Sequence, residues 1–182
     1  TLQASHAGDA NHNAVASAIY TITVVHATPV VTEWPTLAAV TYGATLEQAL
    51  TLVGGEASVD GEFAIIEEIE SATVPNAGTY VYNVAFPPEA TEKYNTVSGT
   101  VALTVNKADQ VLTWDFADQT LTAGSTLTLN ATATCGDVTY TLSDNDGVVT
   151  LDGTTLTAHK VGTVTLQASH AGDANHNAVA SA

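Results

Sequence analysis

Basic side chains are nearly missing from this 182-residue chain. Lysine and arginine together number three against nineteen Asp and Glu, a formal net charge of −16. Nucleic acid is a poor partner for such a chain, because phosphates are neutralised by clustered Lys and Arg. Direct contact with an anionic membrane surface is disfavoured for the same reason. Cys135 is the one cysteine, so no disulfide can form within the chain. A small buried apolar residue is the ordinary role for it, with an intermolecular bridge as the alternative. Methionine is absent, and charged residues are only 12% of the whole. No apolar run approaches the roughly 18 residues of a membrane-spanning helix. No signal peptide opens the chain, which begins mid-pattern at Thr1, so a secretion signal or anchor is expected outside this stretch.

What is present is a repeat and a core. Hydrophobic residues make up 45%, enough to build a packed interior. The string TLQASHAGDANHNAVASA stands at residues 1–18 and again, without a change, at 165–182. Thr1 recurs at Thr165, so the offset is 164 residues. Identity this complete points to recent duplication or to recombination within a tandem array. The simplest expectation is a window cut from a longer array with that period. A weaker repeat lies inside it. Gly78–Ala108, and Gly162 onward continued through residues 16–27, both run Gly-Thr, an alternating strand, a polar loop, an aromatic or His before Asn, then a second alternating strand. Tyr94-Asn95 thus matches His12-Asn13 and His176-Asn177. The period divides into two modules of a usual small β-domain size. Residues 1–25 read as the last strands of a preceding copy, 26–107 as a complete module, and 108–182 as a module lacking its last strand. That strand would look like residues 19–25, IYTITVV.

Alternation with period two dominates the patterning. Residues 120–134 alternate Thr with Leu or Ala across a Gly-Ser turn, and residues 97–105 alternate likewise. In GTYVYNVAF, residues 78–86, Tyr80, Tyr82 and Val84 fall on one face. Thr and Val suit strands because a β-branched side chain fits a pleated surface. Gly, Pro, Asn and Asp punctuate the chain at residues suited to turns. Short strands with such regular turns indicate an all-β fold of sandwich modules. A short helix is expected near residues 44–52, and EFAIIEEIE at 62–70 reads as a strand.

Tyr42-Gly43, Pro75 with Ala77-Gly78-Thr79, Tyr94-Asn95 and the linker Asn106-Lys107-Ala108 stand in one order along residues 30–107. In these marks the chain resembles the "mostly bacterial" β-domains, also called Tyr-Asp-Gly repeats, of large bacterial surface proteins. The stretch from VLTWDFADQTLTAGSTLTLNATAT through GTVTLQASHAGDANHNAV resembles bacterial Ig-like repeats, with His12 and His176 where those repeats carry Tyr. The resemblance implies an extracellular, cell-surface stalk or adhesin segment rather than an enzyme. Its partners would be neighbouring copies joined head to tail in a rod-like spacer. Two alternatives stand beside it: a multivalent module that binds a glycan or host protein, and a filament subunit joined by strand addition through Ile19, Tyr20, Ile22 and Val24. Trp34 and Trp114 are the aromatic candidates for a ligand surface, although each lies near the first strand of its module, where a core role is expected.

No catalytic constellation is legible, and no cofactor is expected. The pairs His6/His12 and His170/His176 are spaced by six, which is no zinc pattern, and read as loop packing. Asp144 and Asp146, and Asp9 and Asp173 in the GDANHN loops, place oxygens at alternate positions as calcium loops do, but neither run continues to a distal Glu. Calcium is therefore the one metal candidate, set against simple Asx turns. Lys93, Lys107 and Lys160 are the only lysines that an isopeptide crosslink, known in some bacterial surface domains, would use. Lys93 and Lys107 are expected in solvent. Asn130-Ala131-Thr132 fits a glycosylation sequon, idle in a bacterial source. The Thr-x-Thr runs suit an outward strand face as well as an ice- or carbohydrate-binding one.

With carboxylates in such excess, like charges repel in the folded chain, and salt screens them within about 8–10 Å. Melting followed by circular dichroism is expected to shift up by a few degrees as NaCl is raised. Calcium adds to this at matched ionic strength only where the Asp144/Asp146 or Asp9/Asp173 loops bind it.

Overall fold

The computed structural model describes residues 1–70, 72–115 and 117–181; Ser71, Phe116 and Ala182, the final letter of the second repeat copy, lie outside the described residues. The fold is all-β, and among the described residues the strands are interrupted by one single-turn helix, Leu46–Ala49. Its backbone contacts divide the chain into two compact units. One holds Thr1–Pro35, Gly54–Ile66 and Asn83–Gly99; the other holds Thr36–Val53, Glu67–Tyr82 and the chain from Thr100 on.

Two long strands, Gly78–Phe86 and Val97–Asn106, show the alternation most plainly. Val101, Leu103 and Val105 are buried, while Thr100, Ala102 and Thr104 between them are exposed. On the other strand Tyr80, Tyr82, Val84 and Phe86 turn inward and Thr79, Val81 and Asn83 outward. The two are hydrogen-bonded neighbours in a four-stranded sheet, flanked by Val40–Thr41 on one side and Ala64–Ile65 on the other. Val40 pairs in parallel with Val105, and Ala64 pairs antiparallel with Ala85.

In the first unit, Phe86 and Val84 are almost completely buried. The Phe63 ring lies 4.9 Å from that of Phe86 and 5.8 Å from Trp34, whose plane it meets near edge-on. Gly99 lies under the Trp34 indole, so closely that a Cβ there would sit 2.6 Å from the ring. Trp34 thus packs inside its own unit. Of the strand expected over residues 62–70, Ala64–Ile65 forms a ladder, and the Ile66 N–H donates once more to the Asn83 carbonyl at 3.1 Å. Exposure still alternates as far as Glu70. The ladder ends ahead of Glu67, Glu68 and Glu70.

The second unit has two clusters of buried side chains. Ala49, Leu103 and Val105 form one, with Leu46, Leu50, Tyr42 and Tyr80 against it. The helix that presents Leu46, Ala49 and Leu50 follows the i, i+3, i+4 rule for a buried helical face. Thr45 opens it, its N–H donating to Gln48 Oε1 at 3.0 Å, and the Leu46 N–H reaches the Thr73 carbonyl at 2.9 Å. Tyr82 lies beside Tyr80, and burial, with Tyr80 and Glu67 nearby, pushes its phenol pKa up. The other cluster is Val148, Val149, Leu156 and Ala158, joined by Leu127, Leu142 and Leu166. Its strands are Thr126–Thr128, Val149–Asp152 and Thr155–Ala158 in one sheet, and Thr139–Ser143, Thr165–His170 and Val179–Ala180 in another. Gly124 has φ +89, in the left-handed region that glycine tolerates, and forms the turn expected at Gly-Ser.

Gly99→Ala forces the Trp34 indole off its seat, and overpacking of this kind costs about 1–3 kcal/mol. In a Trp114→Phe background, Trp34 emission is expected to move to the red and the melting temperature to fall. Unchanged emission would show that the indole does not rest on Gly99.

Candidate functional site

The repeated string folds into the same hairpin in both places. Ser5–His6 pairs with Val15–Ala16, and Ser169–His170 pairs with Val179–Ala180, in the same register. The loop is held by one carboxylate. Asp173 Oδ1 accepts the N–H groups of Asn175 and His176, each at 2.7 Å, and lies 3.0 Å from His176 Nδ1. Asp9 does the same for Asn11 and His12, with all three distances 2.8 Å. Gly8 and Gly172 take φ +76 and +80, and a Cβ at either would run into the carbonyl of His12 or His176. Backbone donation by Asn175, then the His176 side chain, holds the Asp173 carboxyl well below the usual range, and Asn11 and His12 lower Asp9 in the same way.

The surroundings of the two loops differ. The Lys107 ammonium donates to the Asp173 carbonyl at 2.6 Å. Ala108 and His176 form a parallel bridge, closed by Ala108 N–H to Asn175 O and Asn177 N–H to Ala108 O, both 2.9 Å. The Ala77 N–H donates to Asn175 Oδ1 at 2.9 Å, and Asn177 Nδ2 donates to Asp109 Oδ1 at 2.8 Å. The Tyr42 ring stands edge-on to His176 with centroids 5.3 Å apart. Gln110, buried, donates to His170 Nδ1 at 2.9 Å and to the Asn177 carbonyl at 2.6 Å. His170 Nδ1 also accepts the Gly172 N–H, so two donors fix the ring proton on Nε2. Cys135 completes the group: its thiol lies 3.2 Å from Gln110 Oε1 and 3.4 Å from Asp173 Oδ2. Burial, then Asp173, pushes the Cys135 thiol pKa up.

The first copy has the internal bonds without the socket. The His12 side chain is 74% exposed, and that of His176 17%. Ala4 is exposed, while Ala168 is fully buried. Ile19, Tyr20, Ile22 and Val24 are all exposed, Val24 to 90%. Tyr20 bridges back to Leu2, and residues 21–26 belong to no strand. A shorter version of the socket stitch recurs in the first unit, where Ala27 forms a parallel bridge with Tyr94 through Lys93 O and the Asn95 N–H.

The other candidates are dispersed. Asn145, not an aspartate, closes the 143–147 turn, its amide bonding both the N–H and the carbonyl of Val149 at 2.9 Å. Asp144 takes φ +57 there, and the fully exposed Asp146 lies 3.5 Å from Lys160 Nζ. Trp114 stands edge-on to Tyr140 at 5.8 Å, and the Tyr140 hydroxyl oxygen accepts the Ala131 N–H at 2.7 Å. Asn130 is exposed, and the Lys93 side chain is 69% exposed. Among the described residues, one group of three metal-ligating side chains converges, Cys135, Asp173 and His176. Sequence reasoning placed Asp173 and His176 in a loop but not Cys135 beside them. The available signal was the alternation of residues 127, 129, 131 and 133, which extended by one step puts Cys135 on the inward face. Comparison with known protein families finds no match for the chain, and comparison with curated proteins finds none either.

A carboxyl with a depressed folded pKa contributes stability that is fully present above its unfolded value near 4 and is lost as the pH falls through the folded value. Asp173→Asn is therefore expected to lower the melting temperature at pH 7 by more than it does at pH 2.5. An equal loss at both values would show that the ionised carboxylate is not what holds the loop.

Proposed function

We propose that this chain is part of a tandem array and serves as a rod-like spacer on the surface of a bacterial cell, without catalytic activity of its own. The observation that carries the reading is the hairpin seen twice. One copy is seated in a socket built from Tyr42, Ala77 and Lys107–Gln110. The other keeps the same internal bonds while its side chains face solvent. In an array with a 164-residue period, every internal hairpin meets a socket supplied by the module before it and by the first residues of its own module. The exposed apolar run at residues 19–25 then becomes the closing strand of the hairpin's own module. Identical copies suit a spacer, since reach depends on their number and no copy needs a private site. The resemblance to bacterial surface repeats supports the location, as does an acidic surface that resists self-association.

A chain extended by one further period tests this. Amides of its internal hairpin and of the IYTITVV run are expected to exchange as slowly as those of residues 165–181 do in the present chain. Small-angle scattering is expected to show the longest dimension growing by about 70–90 Å per period, from two modules each a strand of ~3.3 Å per residue plus loops. An internal hairpin that exchanges as fast as residues 1–18 would overturn the array. Concentration-dependent association of the present chain, abolished by deleting residues 19–25, would favour the filament subunit instead.

A further inference from the structure

We propose that Cys135, Asp173 and His176 form a binding site for one borderline-soft divalent cation, with zinc as the natural occupant. The three ligand atoms come from two separate segments and lie within 4.8 Å of one another. Cys135 Sγ is 3.4 Å from Asp173 Oδ2, and His176 Nδ1 is 3.1 Å from that same oxygen. Zinc bonded at its usual distances to sulfur, nitrogen and oxygen sets neighbouring ligands about 3.3–3.6 Å apart along the edges of a tetrahedron. Two edges of the group already lie near those lengths, and the third, Sγ to Nδ1, is within 4.8 Å. A thiolate, an imidazole and one carboxylate suit zinc, whereas calcium and magnesium take six or more oxygens. Asp173 is 45% exposed, which leaves a fourth position open to water.

The charges balance. The apo thiol is protonated, and binding replaces S–H by S–metal with release of that proton. Thiolate and carboxylate then neutralise the dication, and the imidazole binds through Nδ1 as the neutral ring, its Nδ1 proton, donated to Asp173 before binding, leaving to solvent while Nε2 carries the ring proton. The Lys107 ammonium holds the Asp173 carbonyl rather than its carboxylate, and Oδ1 is taken by main-chain N–H groups, so Oδ2 is the oxygen left for an ion. Gln110 positions the thiol before binding: its amide nitrogen is fixed by His170 and the Asn177 carbonyl, and its Oε1 accepts the S–H, a bond given up when binding removes that proton. The chain carries its own control, because Asp9 and His12 repeat the loop geometry with no cysteine in the chain other than Cys135.

The reduced full-length chain is titrated with Co²⁺ and Zn²⁺ in separate experiments. One equivalent of Co²⁺ is expected to give a thiolate charge-transfer band that Zn²⁺ displaces. One equivalent of Zn²⁺ is expected to slow reaction of the single thiol with a disulfide reagent at least tenfold, reversed by chelator. Cys135→Ser, which keeps a hydrogen-bond donor, is expected to abolish the band without changing the apo melting temperature by more than a few degrees. Asp173→Asn and His176→Gln are expected to weaken Co²⁺ binding at least tenfold, and Asp9→Asn and His12→Gln to leave it unchanged. No band at one equivalent, or a band that survives the changes at Asp173 and His176, would overturn the site. Equal weakening by the changes at Asp9 and His12 would overturn it as well.

Discussion

The Asp173 carboxylate is the constraint on which the best-defined part of this molecule depends. One oxygen accepts two successive main-chain N–H groups and faces an imidazole, and the other faces a thiol. These bonds shape the loop so that its main chain presents Asn175 and Asn177 to Ala108. Asn175 then reaches Ala77, and His176 reaches Tyr42. Hydrogen bonds to a charged acceptor are roughly twice as strong as neutral ones. A small, ionised side chain thereby organises contacts from four stretches of sequence.

The stitch between Ala108 and His176 has a counterpart at Ala27 and Tyr94. In each case an alanine at the start of a stretch bonds both sides of the residue before an Asn, 68 positions later in one and 67 in the other. Tyr94-Asn95 and His176-Asn177 thus stand in matching parallel bridges. The phenol and the imidazole differ in chemistry, yet the bonds at this position belong to the backbone, which either side chain allows.

The strands were legible because Thr-Val and Thr-Leu alternation is a direct image of one-sided burial, as Val101, Leu103 and Val105 show. The helix at Leu46–Ala49 falls inside the expected span of residues 44–52 and ends where Leu50 leaves helical geometry at φ −96, ψ 36. The strand at residues 62–70 was over-read, since alternation reports which way side chains face and not whether a partner strand lies alongside. The cluster at Cys135 was the least legible. Cys135 and Asp173 are 38 positions apart, and the pairing of Thr139–Ser143 with Thr165–His170, with Gln110 between them, brings their neighbourhoods together. Periodicity within a segment carries no information about that pairing.

The loop keeps its shape with or without neighbours, since Asp9 holds His12 in solvent as Asp173 holds His176 in its socket. A segment that must order itself on docking gives up part of its interaction energy as lost conformational freedom. This hairpin arrives with its backbone already fixed, so seating it costs little beyond the immobilisation of a few side chains. Beside the ladder that Thr165–His170 makes with Thr139–Ser143, contacts as modest as one lysine, two asparagines and an aromatic edge can then suffice to hold the loop.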